Sequence, residues 1–243
     1  MTAPAALPRR ARFRAVTYLS TRPTLYYSLR RLTGQTDSLC IRRDSAIVIE
    51  GYPRSANSTT VTEFLARQNR PLHVAHHKHH AAQILRGAEW GVPAVVLIRA
   101  PRAACLSLLA LAAEARHRAG RPESKALAFS DVLLAYVTFY EAVEPWLDHA
   151  VIGRFEKVRG DVAGLVERVN ARFGTSFRSK AEQIAPQPEL GWHAMPNEIR
   201  ERIKRDLEGR FDAALAGSAS LRRLLDRAEA VHARFGEADE RAG

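Results

Sequence analysis

The sequence predicts a single α/β domain: a mostly parallel sheet of four or five strands with helices on both faces. Three stretches carry that expectation. Residues 46–49, Ala-Ile-Val-Ile, are a short β-branched apolar run, the mark of a strand buried on both faces, and lead into a polar turn and a helix. Residues 94–98 are a second such run, with Arg99 at its end and Pro101 opening the helix behind it. Residues 150–156 are a third, followed by Asp161 as a helix cap and Gly174 as a helix stop.

At 243 residues the chain is long enough for one such domain, and 46% hydrophobic residues is an ordinary globular composition. No apolar run approaches the length of a bilayer span. Residues 1–20 hold arginines without a continuous apolar core or a small-residue cleavage site, so no secretory leader is expected. Cys40 and Cys105 are the only cysteines, which predicts a reducing compartment, the cytoplasm, and no disulfide framework. The formal net charge of +11 admits nucleic acid, an acidic membrane surface or a small polyanion as partner, and does not choose among them.

In order along the chain, residues 1–44 form a basic segment ahead of a domain spanning 45–243. The segment holds Arg9, Arg10, Arg12, Arg14, Arg22, Arg30 and Arg31, with no acidic residue before Asp37. Tyr18, Leu19, Leu25, Tyr26, Leu29 and Leu32 fit a short basic amphipathic helix. Such a helix serves a membrane surface or clamps an anionic substrate; composition alone favours a solvated face packed on the domain. The first strand and turn lead to a helix with Val61, Phe64 and Leu65 on its apolar face. Residues 72–77 read as a second strand, running through His76, His77, Lys78, His79 and His80 into a helix with Gln83, Ile84 and Leu85. The helix after Pro101 is apolar nearly all round and therefore buried. Residues 130–147 form another, with Tyr136, Val137, Phe139 and Tyr140 on a broad apolar face. The C-terminal third is helical: Pro196 opens one helix, and Leu221, Leu225, Ala228, Val231 and Phe235 mark the last. Residues 178–196, with Pro186, Pro188, Gly191 and Trp192, form an irregular connector.

The turn after the first strand has its own chemistry. Gly51 and Pro53 end the strand, and Ser55, Asn57, Ser58 and Thr59 offer side-chain caps at a helix N-terminus. Orphan N–H groups and the positive end of the helix dipole meet there and make an anion cradle, to which Arg54 adds a fixed charge. A Walker A loop is excluded, because no Gly-Lys pair follows Gly51. Arg99 ends its strand at the crevice where open α/β sheets bind ligands. The histidine cluster invites a metal, but strand alternation sets His76 and His77 on opposite faces, and no second cluster supplies further ligands. No metal is expected.

The segment Pro53-Arg54-Ser55-Ala56-Asn57-Ser58 resembles the phosphosulfate-binding loop of the PAPS-dependent sulfotransferases (PAPS is 3′-phosphoadenosine 5′-phosphosulfate). That loop reads Pro-Lys/Arg-Ser-Gly-Thr/Asn-Ser/Thr directly after the first strand. Ala56 replaces the usual glycine and is expected to set a Cβ where the backbone approaches the phosphate. Arg99, Pro101 and Ser107 are similar to the family's strand-end arginine and the serine eight residues on, which bind the nucleotide's 3′-phosphate. The order Arg154-Phe155-Glu156, acidic cap, helix, Phe173-Gly174 is similar too, with Glu156 expected as a buried or capping carboxylate. The family's C-terminal Arg-Lys-Gly segment is missing; Arg178, Lys180 and Arg200 are stand-ins that no motif separates.

The resemblance covers about residues 45–175. It implies a P-loop-like fold and sulfuryl transfer from PAPS to a hydroxyl or amine acceptor, with PAP as product. The acceptor would be a hydroxylated small molecule, a glycan or a lipid, and no nucleic acid is expected. It also implies that Arg54, Ser55, Ala56, Asn57, Ser58 and Thr59 surround the phosphosulfate and that Arg99 and Ser107 bind the 3′-phosphate. Arg54 would act on the bridging oxygen. A histidine just beyond the second strand would remove the acceptor's proton; His77 fits best, with His76 and His79 as alternatives. Two rivals stand: a P-loop-fold kinase or NTPase, opposed by the absent Walker lysine, and a non-enzymatic basic protein that binds nucleic acid or membrane.

Overall fold

The structure, a computed structural model, describes residues 8–120, 126–180 and 197–241. Two helices come first, α1 (Arg9–Leu19) and α2 (Pro23–Leu32). The sheet region follows as β1 (Ile47–Gly51), α3 (Asn57–Arg67), β2 (Val74–His76), α4 (Ala81–Trp90), β3 (Ala94–Ile98), α5 (Pro101–Arg118), α6 (Phe129–Val143) and β4 (Val151–Arg154). The chain continues as α7 (Phe155–Val158), α8 (Val162–Phe173), α9 (Glu198–Gly217) and α10 (Ala219–Arg241). Of the connector predicted over 178–196, residues 181–196, with Pro186, Pro188, Gly191, Trp192 and the expected helix start Pro196, lie outside the described residues; α9 is capped by Asn197, whose side chain accepts the Arg200 N–H at 2.8 Å.

The predicted fold class is the observed one. Four parallel strands lie in the order β2-β1-β3-β4, with helices on both faces. Strand side chains alternate between two apolar layers. Val48, Val96, Ile98 and Ile152 pack with α4, α5, α6, α9 and α10. Ile47, Ile49, Val95, Leu97 and Val151 pack with α3, α7 and α8. Gly51 pairs with Leu97 across β1 and β3, and a Cβ at Gly51 would meet the Leu97 carbonyl oxygen at 2.2 Å. Only glycine allows the end of β1 to lie that close to β3, which is where the loop to α3 begins.

Three expectations are corrected. β2 stops at His76, and His77 turns out of the strand with a φ of 56°. Glu156 is neither buried nor a cap: β4 ends at Arg154, and Glu156 stands exposed on the first turn of α7. Among the described residues the buried carboxylates are instead Glu50, Glu114, Asp131 and Asp239. The basic segment folds as two helices on the domain, where Arg10 and Arg14 each reach the buried Asp131 at 2.6 Å. Both cysteines are free and buried, and no helix among the described residues is long and apolar enough to cross a membrane.

Candidate functional site

The loop between β1 and α3 is held in an uncommon shape. Arg54 and Ala56 both take left-handed backbone angles, φ 72° and 71°. Non-glycine residues pay about 1 kcal/mol or more for that conformation, so surrounding contacts must hold it. Two tyrosines of α6 do so. The Tyr140 hydroxyl accepts from the Tyr52 N–H at 3.2 Å and donates to the Leu97 carbonyl at 2.7 Å. The Tyr136 hydroxyl donates to the Arg99 carbonyl at 2.8 Å, tying down the end of β3. Tyr52 in turn donates to the Val132 carbonyl of α6 at 3.0 Å.

The predicted side-chain caps do not form. Ala56 is the N-cap of α3, and no side chain caps it. Asn57 turns back and donates to the Tyr52 carbonyl at 3.1 Å. Ser58 Oγ lies 2.9 Å from His77 Nε2, buried Ser55 faces Tyr140, and Thr59 is half-buried on the first turn. A helix start whose N–H groups lack side-chain caps suits an anion better than a capped one. Ala56, partly buried, packs against the layer that holds Ile47, Ile49 and Phe64.

Cations gather around this loop. Arg54 Nε donates to Ser107 Oγ at 3.0 Å. Arg99 Nη1 donates to the Arg54 carbonyl at 3.2 Å, and its guanidinium lies 3.9 Å from the centre of the Phe155 ring. Burial, and then the nearby charges of Arg200 and Arg99, hold the Arg54 pKa below its ordinary value. Arg200 is itself buried, and its Nε donates to Glu114 Oε2 at 2.6 Å. Burial alone would raise the Glu114 pKa, but hydrogen bonds from Arg200, Arg118 and Asn197 outweigh it and keep the group below the usual carboxylate range. Of the three C-terminal stand-ins, Arg200 is thus the one beside Arg54. The backbone of Arg178 pairs with Gln68, at the opposite end of α3.

Histidines form the other wall. His77 and His79 have φ of 56° and 55°. The fully buried Glu50 holds the turn between them: Oε1 accepts the Lys78 N–H at 2.6 Å and the Gln83 amide at 3.1 Å, and Oε2 accepts the His79 N–H at 3.0 Å. Burial pushes the Glu50 carboxyl up to about 7, against the pull of these hydrogen bonds. The turn cancels strand alternation, so His76 and His77 do not face opposite ways; their Nδ1 atoms are in contact and their ring centres lie 4.6 Å apart. Burial, followed by the charge of His77, lowers the His76 pKa to about 4.

His79 Nδ1 lies 3.0 Å from the Gly51 carbonyl. A carbonyl only accepts, so in the neutral ring Nδ1 carries the proton and Nε2 keeps a lone pair. Burial is the main cause that lowers the His79 pKa, with Arg54 adding to it. No metal-binding group of three His, Cys, Asp or Glu residues exists among the described residues.

The structure therefore brings together Arg54, Ser55, Asn57, Ser58, Ser107, Arg99 and His77. It adds Glu50, Glu114, Tyr136 and Tyr140, which the sequence reading left out of the site. Glu50 left one signal, a lone carboxylate inside an apolar strand.

No protein-family model matches the chain, and no curated protein does. Among solved structures the chain is similar to mouse sulfotransferase SULT7A1 complexed with PAP, with 13% identity, 82% of this chain and 93% of that chain covered, and a TM-score of 0.41.

Proposed function

We propose that the protein transfers a sulfuryl group from PAPS to a hydroxyl or amine acceptor and releases PAP. The observation that carries this reading is the pair Arg54 and Arg99, joined through the Arg54 carbonyl at the N-terminus of α3, which no side chain caps, with the charge of Arg200 acting on Arg54. A ligand with several phosphate and sulfate charges matches three buried or half-buried cations, of which only Arg200 is bonded to a carboxylate, Glu114. The sequence of the loop, Pro53 to Ser58, adds the resemblance to a phosphosulfate-binding loop.

PAPS supplies the sulfuryl group, and the chain's own residues do the rest. The N–H groups opening α3 and the Ser58 hydroxyl bind the phosphosulfate. Arg54 meets the negative charge that builds on the bridging oxygen as its bond to sulfur breaks. A guanidinium stays protonated, so Arg54 works by charge and hydrogen bonding and not as an acid. Ser107 orients it. Arg99 takes the 3′-phosphate. The acceptor's proton goes to an imidazole. His77 meets the requirement through Nε2, now shared with Ser58, and His79 meets it through the Nε2 lone pair that its bond to Gly51 leaves open.

The test is retention on immobilised PAP, followed by a transfer assay with labelled PAPS over a panel of phenols, glycans and lipids. Elution by PAP and not by ATP, with label reaching one acceptor class, is expected. Elution by ATP alone would favour a kinase. Binding that ignores both nucleotides and vanishes steeply with salt would favour a basic binding protein.

A further inference from the structure

Helix α2 has two apolar faces and uses one. Its inner face meets the domain: Tyr26 is buried with its hydroxyl 3.1 Å from His80 Nδ1, and the Tyr27 hydroxyl donates to Gln83 Oε1 at 3.0 Å. Its outer face carries Leu25, Leu29 and Leu32, spaced by four and three and so aligned on one stripe. These leucines are 50%, 44% and 85% exposed, and Tyr18 at the end of α1 is 57% exposed. These are four of the seven large apolar side chains exposed among the described residues, which makes a patch and not scattered singles.

The segment that carries the patch has charge of one sign. Residues 1–36 hold seven arginines and no acidic residue. Arg10 and Arg14 are engaged with Asp131 on the domain side, while Arg12, Arg22 and Arg31 are exposed. The Arg22 guanidinium lies over the Tyr18 ring, 4.7 Å from its centre. Arg22 stands at the N-cap of α2, and on the helical wheel Arg31 lies to one side of the leucine stripe.

We propose that the outer face of α2, with the end of α1, docks on an anionic lipid surface. A row of leucines edged by arginines and a tyrosine is the pattern that lies in a bilayer interface, with the apolar stripe among the acyl chains and the cations at the head groups. Nucleic acid would use the arginines and leave the leucines in water. A second copy of the chain would set Arg22 and Arg31 against arginines with no acid in the segment to meet them. Because Tyr26 on the inner face touches His80, docking brings the histidine turn to about one helix diameter, about 10 Å, from the surface. Docking itself does not depend on the transfer chemistry, and either reading can fail alone.

The test is co-sedimentation of the full chain with vesicles of phosphatidylcholine alone or mixed with phosphatidylglycerol. Binding to the mixed vesicles, weaker by about tenfold or more on the neutral ones and weakened by salt, is expected. The double variant Leu29→Gln, Leu32→Gln should lose about tenfold or more in binding, with an unchanged melting temperature because both positions are exposed. Arg22→Gln with Arg31→Gln should weaken binding and flatten its salt dependence. Equal binding to both vesicles, or a leucine variant that binds like the wild type, overturns the proposal. So does a lipid-free dimer that the leucine variant abolishes, or retention on duplex DNA with indifference to vesicles.

Discussion

Ser107 Oγ lies 3.0 Å from Arg54 Nε, so the serine eight residues past Arg99 serves the arginine of the β1–α3 loop. We propose that it orients that charge, in place of the expected contact with the 3′-phosphate. Ser107→Ala should lower turnover by the equivalent of one charged hydrogen bond, about 1.5–3 kcal/mol, with little change in affinity for PAP. Calorimetry with PAP beside steady-state turnover checks this. A loss of PAP affinity at unchanged turnover would return Ser107 to the nucleotide.

Arg54→Ala should reduce turnover far more than PAP affinity, because the charge it meets develops in the transition state. Arg54→Lys should keep much of the activity, since a lysine is common at this position in the loop it resembles. A lysine variant as inactive as the alanine variant would mean that the bond to Ser107 matters more than the charge.

Arg99→Ala should weaken PAP binding by about 1.5–3 kcal/mol and should hardly touch adenosine 5′-phosphosulfate, which lacks the 3′-phosphate. Equal losses for both ligands in the same titration would remove Arg99 from that phosphate.

The two histidines separate by variant and by pH. His77→Ala should abolish transfer with PAP affinity intact if His77 is the base, and His79→Ala should do so if His79 is. Burial and Arg54 hold the His79 pKa below the ordinary imidazole value, so a rate governed by His79 should persist below about pH 6.5. Activity unchanged in the alanine variants of His76, His77 and His79 alike would remove these imidazoles from the proton transfer.

Glu50 and Glu114 should respond to pH in opposite senses. The Glu50 carboxyl is raised from 4.5 to about 7, so its contribution to stability is full below 4.5 and is lost as pH rises through 7. The size is on the order of 3 kcal/mol, and Glu50→Gln should remove this slope. The amide cannot accept both backbone N–H groups, so the same variant should disturb the His77–His79 turn and lower turnover with PAP affinity kept. Glu114 is held below its ordinary value, so its contribution is present above that value and is lost as pH falls through its folded pKa. Arg200→Ala leaves the Glu114 carboxylate buried without its closest partner and should cost about 3–5 kcal/mol in urea unfolding at pH 7. Denaturation curves of both variants from pH 4 to pH 8 would expose a wrong sign in either case.

The strands, the helices behind them and the order in which they alternate were legible in the sequence, because apolar periodicity and end signals act over a few residues. Asp161 caps α8 by accepting the Gly164 N–H at 2.7 Å, and Gly174 ends it with a φ of 63°, as their residue types require. The loop from Pro53 to Ser58 and the strand-end position of Arg99 were legible for the same reason. Tertiary structure decided how those residues are used. Tyr140, far along the chain on α6, holds the loop, and Ser58 meets His77 where its residue type offered a cap for α3. Glu50 pins a turn that brings His76 and His77 together where strand alternation alone would part them. Ser107 finds Arg54, and Arg200 comes up beside it from a helix nearly a hundred residues further on. A left-handed backbone angle at a non-glycine residue, or an arginine buried on a carboxylate, is held by partners distant in the chain, and no local pattern names them.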